Sequence, residues 1–65
     1  MKDDKLTLDQ ARYMAKITQK DMAKRLGIAE STYIDYEKYR SIFRMDVAYR
    51  FANIVGRPLD SIKFF

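Results

Sequence analysis

Apolar side chains recur at spacings of three and four along most of this chain, with polar residues between them, and the points where the rhythm breaks carry helix start or stop signals. Leu8, Ala11, Met14 and Ala15 make a first stripe that predicts a helix to about Lys16. Thr7 and Gln10 are spaced as a capping box at its start. Ile17 then enters a connection. Thr18 is a second N-cap, and Met22, Ala23 and Leu26 form a stripe about two turns long, ended by Gly27. After Ile28, a third helix is predicted from about Ala29 to Lys38. Tyr33 and Tyr36 lie on its inner side, with Thr32 and Glu37 beside them, and Glu30, Ser31, Ile34 and Asp35 lie on its outer side. Tyr39 to Phe43 has no period and reads as a loop. Met45, Ala48, Phe51, Ala52 and Val55 make the strongest stripe, stopped by Gly56. Pro58 suits a helix first turn, which predicts a short fifth helix from Pro58 to Ile62 and an apolar tail over residues 63–65. Residues 1–6 are expected to fray.

The pattern predicts one all-α domain over residues 1–65, with no internal linker. At 65 residues, a chain buries only about 60% of the surface it exposes when unfolded. Disulfides, metals or a second subunit usually support so small a core. The chain has no Cys and no His, which removes the first two supports and makes a second subunit an expectation. It also removes thiol and imidazole catalysts and the common zinc ligands, so neither an enzyme nor a cofactor is predicted. The formal net charge is +4, which suits a polyanionic partner without identifying one. No apolar run approaches the roughly 20 residues of a membrane span, and residues 1–7 lack the core of a signal peptide. The expected setting is the cytoplasm of a bacterial or phage-infected cell, close to the nucleoid.

Two short helices crossing steeply through a tight turn need small and flexible residues at fixed places. Here Ala23 is small where the helices approach, and Gly27 can take the positive φ of the turn. Met22, Leu26, Ile28, Tyr33 and Tyr36 supply the apolar contacts, so Thr18 to Lys38 reads as a helix-turn-helix. The stretch Ile17-Thr18-Gln19-Lys20-Asp21-Met22-Ala23-Lys24-Arg25-Leu26-Gly27-Ile28 carries a family resemblance. Ser31-Thr32-Tyr33, Tyr36-Glu37, Phe51-Ala52-Asn53-Ile54-Val55-Gly56 and Leu59-Asp60 extend it. Over about Leu8 to Ile62 the chain resembles the Cro and phage-repressor type of helix-turn-helix, also called the xenobiotic-response-element class. It is most similar to the small stand-alone regulators of temperate phages.

The resemblance implies a five-helix, lambda-repressor-like DNA-binding domain whose third helix reads an operator in double-stranded DNA. Glu30, Ser31, Ile34 and Asp35 match base-reading positions. Gln19, Thr32, Lys38, Arg40 and Arg44 match phosphate contacts. Arg12 and Glu37 match a structural salt bridge. Family members act as homodimers on inverted half-sites, and Arg57, Leu59, Ile62, Phe64 and Phe65 are the expected contact, the alternative being that the tail folds back on its own core. The chain also departs from the pattern. Between Ala29 and Glu37 there are three carboxylates and no cation, Ala29 and Arg44 stand where caps are usual, and Tyr39 stands where Gly is frequent. An acidic reading helix keeps a second expectation open: a module of the same fold that blocks a partner repressor protein. Tyr13, Tyr39, Tyr49, Ile42, Phe43, Phe64 and Phe65 would form its binding surface.

Overall fold

The computed structural model of the protein describes residues 4–65. Among them the chain forms α1 (Leu8–Met14), α2 (Gln19–Leu26), α3 (Glu30–Glu37) and α4 (Met45–Val55), then a short 3-10 turn at Leu59–Ser61. The all-α fold class holds, with one difference: the fifth helix is a single 3-10 turn. Pro58 before it stays extended, and so does Ile62 after it. Ile62 instead forms an isolated parallel bridge with Leu6. The Leu6 N–H donates to the Ser61 carbonyl at 2.9 Å, and the Lys63 N–H donates to the Leu6 carbonyl at 2.7 Å. Residues 1–3 of the segment expected to fray lie outside the described residues, while Leu6 is held by this pairing.

Each helix begins where the side chains can serve its free N–H groups, or where the chain simply enters extended. Thr7 and Gln10 form the full capping box on α1, and the Thr18 hydroxyl accepts from the Asp21 N–H at 3.1 Å on α2. Ala29 and Arg44 precede α3 and α4 with no side-chain cap. At their other ends all four helices stop in the same way. A residue in the left-handed region follows the last turn, and the next N–H bonds back to a carbonyl five residues earlier. Gly27 (φ 73) and Gly56 (φ 71) do this for α2 and α4, Lys16 (φ 60) and Tyr39 (φ 59) for α1 and α3. The closing bonds are Ile17 N–H to Arg12, Ile28 to Ala23, Arg40 to Asp35 and Arg57 to Ala52, between 2.9 and 3.3 Å. A Cβ on either glycine would touch nothing. Backbone conformation, not space, is what requires glycine there.

The core is built by Leu8, Met22, Leu26, Tyr33 and Phe51, all fully buried. α2 packs most extensively against α3, and α4 lies under α1 and α2. Two positions of the predicted stripes point outward: Met14 is 52% exposed and Met45 58%. α1 is short and turns at Lys16, which buries Ile17 in place of Met14. In α4 the buried face runs through Val47, Ala48, Phe51 and Ala52, so its covered edge is Val47 and not Met45.

The tail also differs from expectation. Phe64 and Ile62, assigned above to a second subunit, are buried in the protein's own core, as is Phe43. Phe43 stacks on Tyr36 with ring centroids 4.3 Å apart and meets Phe64 edge-on at 5.1 Å and Phe51 at 5.7 Å. Edge-on and offset arrangements suit the charge distribution of the rings. They fasten both the loop after α3 and the C-terminal segment to α4. Phe65 remains 73% exposed. No helix among the described residues is long and apolar enough to cross a membrane.

Two substitutions check this account. Lys16→Gly relieves a left-handed non-glycine residue and is expected to raise stability by about 1 kcal/mol. Phe64→Ala removes a core ring and is expected to cost about 3 kcal/mol. Denaturant midpoints read both.

Candidate nucleic-acid interface

The corner between α2 and α3 is held by one carboxylate. The Glu37 side chain, on the last turn of α3, is 5% exposed, and Arg12 from α1 pairs with it through Nε. Arg12 Nη2 donates to Glu37 Oε1 at 3.4 Å, Gln19 Nε2 from α2 donates to the same oxygen at 3.0 Å, and the Tyr33 hydroxyl donates to Oε2 at 2.6 Å. A carboxylate offers about four acceptor sites, and here each oxygen receives two donors. The other end of the guanidinium is also engaged, since Arg12 Nη1 donates to the Ile17 carbonyl at 2.9 Å in the α1–α2 turn. Burial alone would lower the Arg12 pKa, but the hydrogen bond and the charge of Glu37 outweigh it, so Arg12 sits above its ordinary value. Burial, followed by the hydrogen bond to Glu37 and its charge, pushes the Tyr33 phenol far up.

With the inner side of α3 fixed by Tyr33, Tyr36 and Glu37, its outer side faces solvent. Glu30, Ser31 and Thr32 are exposed, and Ile34 and Asp35 are half-buried. These residues are brought to one side of the helix, as their spacing predicts. The left-handed turn at Tyr39 folds the chain back so that Arg40 lies beside Asp35, with Nη1 to Oδ1 at 3.6 Å. Arg44 pairs locally with Asp46 at 3.3 Å. Lys38 is exposed and its side chain makes no hydrogen bond or ion pair among the described residues. Gln19 is not the free donor that a phosphate role pictures, because one of its amide N–H groups is committed to Glu37; the other N–H remains for an outside acceptor.

Two further contributors were not visible in the residue pattern. Arg50 on α4 donates from Nη1 to the Leu26 carbonyl at 3.0 Å, satisfying the C-terminal end of α2 at the corner. The Tyr39 hydroxyl accepts from the Leu8 N–H at 3.3 Å and donates to the Lys63 carbonyl at 2.6 Å, joining the start of α1 to the C-terminal segment. Burial raises this phenol too; the Leu8 N–H opposes the shift, and the charges of Asp9 and Glu37 add to it. Both residues act across more than twenty positions of sequence, and no local spacing marks them. Tyr33 as a donor to Glu37 is different, because a spacing of four puts the two on adjacent turns.

Residues 8–62 match a family model described as helix-turn-helix. No curated protein and no solved structure matches the chain. The matched span runs from the first residue of α1 to the residue that pairs with Leu6, and so covers every helix.

Removing Glu37 leaves the Arg12 charge half-buried and without its partner. Glu37→Ala is expected to cost about 3–5 kcal/mol, against about 0.5 kcal/mol or less for the exposed Glu30→Ala. Thermal melts of the two variants check the order. A phenol whose pKa is higher folded than unfolded contributes stability that is complete below its unfolded value, about 10, and is lost as pH rises further. Stability is therefore expected to fall through the alkaline range, and less steeply in Tyr33→Phe, in denaturant titrations from pH 8 to about 11.

Proposed function

Because the chain belongs to the helix-turn-helix family, we propose that it is a sequence-specific double-stranded DNA-binding transcriptional regulator of the Cro and repressor kind. α3 enters the major groove, and Glu30, Ser31, Ile34 and Asp35 meet base edges. Gln19, Thr32, Lys38, Arg40 and Arg44 face phosphates. The observation that carries this reading is the α2–α3 corner itself. Three helices supply donors to Glu37, so α3 is held rigidly with a solvent-facing side free of core contacts and with cations just beyond its end. A helix presented in this way can enter a groove as a unit, with little ordering cost on binding.

One recognition helix reads only a few base pairs, so the reading includes a homodimer on inverted half-sites. With Ile62 and Phe64 in the core, the surface for it reduces to Arg57, Leu59 and Phe65, joined by the exposed Met45. Met45, Leu59 and Phe65 line a groove of about 540 Å³. A second reading, a module that blocks a partner repressor, is favoured by a separate observation: Tyr13 and Ile42 are each 78% exposed. Exposed apolar side chains suit protein contact where they join into a patch.

Selection of bound sequences from random duplex DNA, repeated over a salt series, tests the proposal. A partly palindromic site is expected, with a log–log salt slope of about −0.9 per phosphate contacted. Lys38→Ala and Arg44→Ala should each reduce the slope by about 1 while leaving the selected site unchanged, and Arg40→Ala should also reduce the slope. A folded protein that selects no motif and binds no DNA at low salt would transfer the assignment to the repressor-blocking reading. Phe65→Ser is expected to weaken self-association in sedimentation velocity without lowering the melting temperature.

A further inference from the structure

The three carboxylates of α3 have different surroundings. Glu37 is saturated by Arg12, Gln19 and Tyr33, and Asp35 is offset by Arg40 at 3.6 Å. Glu30 is exposed and has no ion pair or side-chain hydrogen bond among the described residues. Ser31 beside it is equally uncommitted. The acidity of the reading helix is therefore concentrated, as far as an outside partner is concerned, in one carboxylate.

We propose that Glu30 is the specificity-determining residue of the outer side of α3, and that it selects a cytosine in each half-site by accepting a hydrogen bond from the N4 amino group. The proposal rests on the DNA-binding reading given above. An ionised carboxylate accepts hydrogen bonds and donates none. In the major groove, guanine presents two acceptors and thymine presents an acceptor and a methyl group, so both oppose it. Adenine offers an amino group, but its N7 acceptor lies next to that donor. Cytosine presents only the N4 donor at its edge. A negative side chain in a phosphate-lined groove weakens binding to every other base at that position, so Glu30 discriminates largely by rejection. Asp35 does not compete for this role, because the Arg40 guanidinium beside it reduces its net charge toward the DNA.

Selection from random duplex DNA with the wild-type chain, Glu30→Gln and Glu30→Ala provides the test. The wild-type motif is expected to contain a cytosine that Glu30→Gln replaces by adenine, since a Gln amide pairs with adenine N6 and N7. In Glu30→Ala that position is expected to lose its preference. Changing the cytosine in the selected site should weaken wild-type binding about tenfold or more and Glu30→Ala binding about twofold or less. A motif that is identical for all three proteins overturns the proposal and leaves DNA binding standing. That result, with a lower melting temperature for Glu30→Gln, assigns Glu30 to stabilising the uncapped start of α3 instead. A wild-type protein that selects no motif overturns both this proposal and the reading beneath it.

Discussion

A carboxylate removed from water must find its hydrogen bonds within the protein, and Glu37 finds all of them at the meeting point of three helices. Arg12 comes from α1, Gln19 from α2 and Tyr33 from α3 itself. Losing any one donor leaves part of a buried charge unsatisfied, so the three helices cannot shift independently. Ion pairs of this kind add little net stability compared with apolar packing. What the arrangement supplies is orientation, because four donors on two oxygens permit few relative placements of α1, α2 and α3. Arg50 completes the corner from α4 by taking up the Leu26 carbonyl at the end of α2. The direction in which α3 presents its outer side follows from these polar contacts as much as from the apolar core beneath them.

The aromatic cluster performs the corresponding task for Tyr36, on the same inner side of α3. Tyr36, Phe43, Phe51 and Phe64 form a chain of ring contacts from α3 through the following loop to α4 and the C-terminal segment. Tyr39 links the same parts through polar atoms, since its backbone ends α3 while its hydroxyl reaches Leu8 and Lys63. A tyrosine in a left-handed position carries a conformational cost that glycine avoids. Its side-chain contacts offset that cost, which gives a physical reason for the departure from glycine at this place.

Local chemistry was legible in the residues, and long-range chemistry was mostly not. Thr7 with Gln10, Thr18, Gly27 and Gly56 mark helix ends through neighbours in sequence, and the structure has those ends where the markers stand. In α4 the covered edge is Val47 and not Met45, because the two sit at opposite edges of one apolar stripe and the pattern does not tell which edge is covered. For Phe64 and Ile62 the residue pattern allows either a partner or the chain's own core as cover, because nothing adjacent in sequence says which; they are buried in the core. The Arg12 and Glu37 pair came from resemblance rather than from spacing. Gln19 as a third member shows how a polar residue at a helix start can face inward once its neighbours are fixed. At the interface, the acidity of α3 looked uniform in the residue order, and only the three-dimensional partners separate Glu30 from Asp35 and Glu37.

The outer side of α3 is set apart from everything that holds it in place. Glu30 and Ser31 are exposed and share no hydrogen bond or ion pair with the core or the Glu37 cluster. Substitutions at sites without shared partners add nearly independently. Changes at positions 12, 19, 33 and 37 are therefore coupled to one another, while positions 30 and 31 are free to drift one at a time. Among descendants of this sequence, new binding preferences could arise in single steps without an intermediate that fails to fold.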